Sequence, residues 1–170
     1  VLDLLRYIGA MFEVLVFVYE NYWRGEACLE GPQLGRKLSA VGFESDEIQQ
    51  ALAWLEGLRF ASQGAAVMPV NVAMPTPAPV RASMRIYATA EQNHLGFEGL
   101  RYLNFLEGAD GLSETMREIV IDRAMAAPGD PLPIDDLKII VLMVYWSMGK
   151  EPDALLLDEL CDDVEDRLPH

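Results

Sequence analysis

The chain has 170 residues, 51% apolar and 24% charged, and 13 Lys and Arg stand against 27 Asp and Glu, a formal net charge of −14 at pH 7. This is the composition of a globular protein long enough to bury a core without staples, which excludes a wholly disordered or collagen-like chain. The charge excludes a protein that holds nucleic acid mainly by covering phosphates with Lys and Arg.

Residues 1–18 are rich in apolar side chains, but Asp3, Arg6 and Glu13 interrupt them and no small-residue cleavage site follows, so they read as an amphipathic start rather than a signal anchor. Met11 opens a segment like a natural beginning, and residues 1–10 are read as an extension or cloning remnant. Phe12, Leu15, Val16, Tyr19, Tyr22 and Trp23 recur at helical spacing and predict a first helix over about 11–23, ended by Gly25. Pro32 at a first helical position, Leu34, Leu38 and Val41 behind it and Gly42 beyond predict a second. A third starts at Ser45, whose hydroxyl can cap it, with Asp46 and Glu47 facing the positive end of its dipole and Ile48, Ala51, Leu52 and Leu55 as its buried stripe.

After Leu58 the pattern turns short-period through Phe60–Val72, and Ser83–Tyr87 alternates as a strand does. Between them Pro69, Pro75, Pro77 and Pro79 make residues 69–80 a proline-rich loop. Three helices followed by a small β-hairpin is the order of a winged helix, so residues 11–88 are expected to form a winged-helix-like N-terminal half.

Residues 89–170 read as a helical bundle packed on it. Thr89 and Gln92 stand in capping-box positions before the apolar residues Leu95, Leu100, Leu103, Phe105 and Leu106. Gly96 and Gly99 within that helix read as close-packing positions. Ser113 caps a helix carrying Met116, Ile119, Val120, Arg123 and Ala124 up to Pro128-Gly129. Asp135 and Asp136 open a helix through Met148 that is apolar on nearly all sides, the central helix of this half, and Gly149 stops it. Its uncharged run Ile139–Trp146 is far shorter than the roughly 20 residues that cross a hydrocarbon core. Pro152 begins a final helix with Leu155, Leu156, Leu160 and Val164 as a narrow seam on an acidic rod. The fold class is mainly α.

For chemistry, the sequence offers two histidines, His94 and His170, and two distant cysteines, Cys28 and Cys161, in neither a Cys-x-x-Cys nor a nucleophile setting. There is no Cys/His spacing for zinc, no calcium-loop turn around Asp162-Asp163 and no phosphate-cradling glycine loop. The reading is no catalytic residue, no cofactor and no metal. Single, unpaired cysteines fit a reduced cytosolic protein.

Charge is more informative. Residues 1–89 carry 9 acids and 7 bases, residues 90–150 carry 10 and 5, and the last twenty carry 8 acids and one base. Asp158, Glu159, Asp162, Asp163, Glu165 and Asp166 are read as a solvated face that can also dock a basic partner. The third helix, with Asp46, Glu47, Gln49, Gln50 and Glu56 and no Lys or Arg before Leu58, is poorly suited to a major groove. Arg59, Arg81 and Arg85, flanking the expected wing, are the one place where a small basic patch can gather.

The opening MFEVLVFVYENY and the blocks LSAVGFESDEIQQALAWLEGL, SMRIYATAEQ, GLRYLNFLE, REIVIDRAMA and DDLKIIVLMVYWS together resemble the bacterial Smg proteins, a family with no established biochemical activity. The likeness covers most of residues 11–150. It implies a cytoplasmic protein whose gene often lies beside genes for a DNA-processing protein and a topoisomerase-like protein, and it transfers no catalytic residue. The expected function is a non-enzymatic interaction module or accessory factor, linked to DNA processing, that docks a basic protein partner through its acidic helices. The alternative is direct nucleic-acid binding through Arg59, Arg81 and Arg85.

Overall fold

A computed structural model describes residues 10–22, 31–67 and 85–152. These form helices α1 (Ala10–Tyr22), α2 (Gly31–Val41), α3 (Ser45–Val67), α4 (Thr89–Gly108), α5 (Glu114–Met125) and α6 (Ile134–Ser147), with no strand among the described residues. The sequence of α6 dictates its place. A helix apolar on all sides has no face to give to water and must be surrounded. Leu137, Ile140, Val141, Met143 and Val144 are buried, and α1, α3, α4 and α5 all pack against the helix that carries them. One apolar cluster runs through all six helices, joining Phe12 and Leu15 of α1, Leu38 of α2, Trp54 and Leu58 of α3, Leu103 and Leu106 of α4 and Val120 and Ala124 of α5.

The turn between α2 and α3 follows the glycine signal. Gly42 takes φ +112°, a left-handed conformation that suits a residue without Cβ, and the N–H groups of Gly42 and Phe43 close back on the Leu38 carbonyl at 3.2 and 3.3 Å. Glu47 then accepts the Glu44 N–H at 3.1 Å to start α3. Where α3 crosses α5, a side chain at Gly57 would collide with the Arg123 guanidinium, and Trp54 Nε1 donates to the Arg123 carbonyl at 3.0 Å. Farther along, the buried Ser62 hydroxyl lies 2.9 Å from the Leu58 carbonyl and 2.8 Å from Ser147 Oγ of α6. A polar pair inside the core is tolerated because it is hydrogen-bonded.

The winged-helix expectation is corrected here. Phe60–Val67 is no strand but the last two turns of α3. The Leu58 face continues into partly buried Ala61 and buried Ser62, and the alanine-rich sequence favours helix. The other half of the expected hairpin fails for a different reason. Arg85–Ala88 is extended but unpaired, with Arg85 and Tyr87 half-buried and Ile86 90% exposed. The alternation is genuine, yet of the inward side chains Arg85 is held by ion pairs to α4 and α5 and Tyr87 packs against the core, and neither belongs to a ladder. Residues 68–84, with the rest of the expected hairpin and the proline-rich loop, lie outside the described residues, as do residues 1–9, 23–30 and the acidic segment 153–170.

Helix α4 is broken at Gly96, at φ 64° and ψ 178°. The break frees the His94 carbonyl, which accepts the Leu132 N–H at 2.7 Å, and Pro131 packs 3.4 Å from where a Gly96 Cβ would stand. Gly99 fulfils the close-packing role, because a Cβ there would sit 3.2 Å from Leu137 Cδ2 of α6. The cap lies one residue before the expected frame: Glu91, not Gln92, accepts the N–H of Ala88, at 2.8 Å. Ser113 caps α5 as expected, accepting from Met116 N at 3.4 Å. Phe105, expected on the buried face, is 54% exposed.

Because Ile140 is fully buried at the centre of this cluster and Phe60 is 60% exposed, Ile140→Ala should lower unfolding free energy by roughly 2–5 kcal/mol in urea denaturation. Phe60→Ala should change it by only about 0.5 kcal/mol.

Candidate functional site

Of the residues singled out for docking, Asp158, Glu159, Asp162, Asp163 and Asp166 lie outside the described residues, as does Arg81 of the basic patch. Among the described residues, one helix face that carries carboxylates and amides without a cation is on α3. Asp46, Gln49, Gln50, Ala53 and Glu56 are all exposed and recur every three or four residues, which places them on one side of the helix. The opposite side carries the buried Ile48, Ala51, Trp54 and Leu58. The outer face offers carboxylate and amide groups and no cation until Arg59, whose guanidinium lies over the Phe60 ring at 5.6 Å to the centroid.

Arg85 belongs to a different assembly. Its Nη1 and Nη2 donate to the two oxygens of Glu91 at 2.9 Å each, and its Nε and Nη2 donate to Glu118 at 2.7 and 2.9 Å. The same guanidinium stacks over Tyr87 at 4.8 Å. Glu118 is shared with Arg117, which is only 3% exposed and also pairs with Glu107 and Glu114. Two guanidinium groups and four carboxylates thereby join the extended segment before α4, α4 itself and α5. The Arg85 hydrogen bond pulls the Glu91 carboxyl down to about 2. Burial pushes Glu118 upward, but the bonds from Arg85 and Arg117 outweigh it and leave that carboxyl below its ordinary value. Carboxylates held ionised in this way are ties, not proton donors.

One carboxyl is shifted the other way. Asp136, in the first turn of α6, is 3% exposed, and its Oδ1 has no hydrogen-bond partner. Burial, then the neighbouring Asp135 charge, raises it to about 7. Periodicity could mark Asp136 as opening a helix, but not as buried, since that depends on how α6 is surrounded. His94 has a structural contact: its Nε2 is 2.9 Å from the Ala124 carbonyl, so a ring N–H there ties α4 to α5. Among the described residues no three His, Cys, Asp or Glu side chains are grouped to hold a metal ion, and no helix is long and apolar enough to cross a membrane.

These shifts give stability a pH dependence of two signs. A carboxyl depressed in the fold contributes stability above its unfolded value, lost as pH falls through the folded one, so the Glu91 contribution should disappear between about pH 4.5 and about 2. A carboxyl raised in the fold acts inversely: Asp136 should cost stability as pH rises from about 4 to about 7. Asp136→Asn should therefore flatten the fall in urea-unfolding free energy between pH 5 and pH 8, by on the order of 1–4 kcal/mol.

The comparisons with known proteins agree along almost the whole chain. The family described as "Protein of unknown function (DUF494)" matches residues 11–170. The "Protein Smg homolog" of Leptothrix cholodnii is 54% identical over 160 residues, covering 94% of this chain and 100% of the relative. The homologs of Methylibium petroleiphilum and Bordetella pertussis are 53% and 41% identical with the same coverage. No solved structure matches the chain. With the family match taking in the residues whose blocks resemble the Smg proteins, and with relatives above half identity end to end, the chain belongs to the bacterial Smg family.

Proposed function

We propose that this Smg-family protein is a non-enzymatic, cytoplasmic interaction module or accessory factor that docks a basic protein partner through acidic helices, with DNA processing as its setting. The observation that carries this reading is the outer face of α3, an exposed row of Asp46, Gln49, Gln50 and Glu56 with no cation along more than three turns. A cation-free row whose charged members are both carboxylates steers a basic partner. Its length suits a protein surface, and its charge repels a phosphate backbone. The nucleic-acid alternative rests on Arg59, Arg81 and Arg85, and Arg85 has its donors committed to Glu91 and Glu118.

Fluorescence-anisotropy titrations test the reading. A labelled lysine-rich peptide should bind the wild type in low salt at least tenfold more tightly than Asp46→Lys/Glu56→Lys, while Glu20→Lys/Glu151→Lys, which makes the same change in net charge elsewhere, should keep most of the affinity. Equal losses in the two variants would show only a diffuse charge effect and defeat the α3 assignment. Single- and double-stranded DNA should not bind at 50 mM salt; micromolar binding with a steep salt slope would establish the alternative instead.

A further inference from the structure

Beyond the break at Gly96, α4 runs straight from Phe97 to Gly108 and turns Phe97, Arg101 and Phe105 to solvent. Their spacing of four and four residues lines them up on one side, with about 12 Å of rise from the first ring to the last. Phe97 is 76% and Phe105 54% exposed, although Leu95, Tyr102, Leu103 and Leu106 of the same helix are buried. Between the two rings stands an arginine that makes no ion pair. Arg85, Arg117 and Arg123 are engaged by carboxylates, Arg36 by the Pro32 carbonyl and Arg59 by the Phe60 ring. Among the described residues, Arg101 is the arginine to which no hydrogen bond, ion pair or ring contact belongs.

We infer that this face is a second docking surface, for an amphipathic segment of another protein that presents a carboxylate between two apolar side chains. Two exposed phenylalanines supply apolar contact area, and a guanidinium with no partner in the chain supplies a bidentate donor that matches a carboxylate. The choice of occupant follows from charge. The pattern Phe97-Arg101-Phe105 is symmetric about Arg101, so an antiparallel second copy would set Arg101 against its own equivalent, a like-charge contact. A nucleic-acid strand would meet a single cation beside Glu98 on a protein of net charge −14, far from the groove of clustered bases that such binding needs. An acidic, apolar protein segment satisfies both rings and the guanidinium. This surface is separate from the acidic face of α3 and takes a partner of opposite charge, so either assignment can fail without the other.

The test starts from a displayed library of random 16-residue peptides selected on the full chain. The expected consensus is an Asp or Glu with apolar residues three or four positions to either side. Binding of the best peptide should fall at least tenfold for Arg101→Glu and for Phe97→Ser/Phe105→Ser, with far-ultraviolet circular dichroism unchanged because the three side chains are exposed. A peptide with Lys in place of its acid should recover binding to Arg101→Glu but not to wild type, a charge swap that a merely structural effect does not produce. A consensus lacking the acid, undiminished binding by either variant, or no rescue would overturn the inference. It would also be overturned by a concentration-dependent dimer in sedimentation that Phe97→Ser abolishes, or by oligonucleotide binding that Arg101→Glu abolishes.

Discussion

Everything in this fold follows from having to surround α6. A helix that is apolar on every side is stable only when its whole circumference is covered, and four other helices supply the cover. Close approach then becomes a requirement on those partners, met in α4 by Gly99 against Leu137 of α6. The enclosure also takes in polar side chains that the sequence places on α6 for other reasons. Asp136 favours the first turn of a helix through the dipole, and enclosure then strips it of water, which is why it titrates near neutrality. Lys138 is 6% exposed and reaches over the Tyr102 ring.

The second level of organisation is ionic and lies at the edge of that core. Arg85 precedes α4 by only a few residues, yet it is fastened to α5 as firmly as to α4. A short extended segment has few backbone bonds of its own, so this clamp, with the Glu91 cap on Ala88, fixes where α4 begins. Arg117 does the same between α4 and α5 from a buried position, where its desolvated charge is met by Glu107, Glu114 and Glu118. The clamp therefore fixes geometry, and through the depressed Glu91 carboxyl it also contributes stability that is lost at acid pH.

What could be read from the sequence was what local chemistry decides. The Gly42 turn, the Ser113 cap and the all-round apolar character of α6 are set by residues within one helix turn of each other, and each stands where its spacing put it. What failed depended on partners distant in the chain. The alternation at Ser83–Tyr87 looks the same whether its inward residues meet a strand or a pair of glutamates 6 and 33 positions away. Phe60–Val67 reads as short-period until Ser62 is seen to meet Ser147 of α6. Arg85 groups with Arg59 and Arg81 in the sequence because all three flank the expected wing, whereas its partners come from α4 and α5. The family blocks were legible because they are a property of the sequence itself.

The excess of acid over base takes on a different meaning once the pairs are drawn. Most described cations are engaged by glutamates, carbonyls or aromatic rings of the same chain, so the surplus carboxylates face solvent, among them Asp46 and Glu56 of α3, Glu98 of α4 and Asp130. Against that background an exposed arginine with no partner, in a protein with carboxylates to spare, is the exception. Arg101 gains the chain little stability, since an exposed charge between two exposed rings buries nothing. Arg117, by contrast, has three carboxylates around it. Among the described residues the other arginines each have a carboxylate, a carbonyl or a ring of the same chain beside them, and Arg101 faces water between Phe97 and Phe105, which is the arrangement on which the proposed docking surface rests.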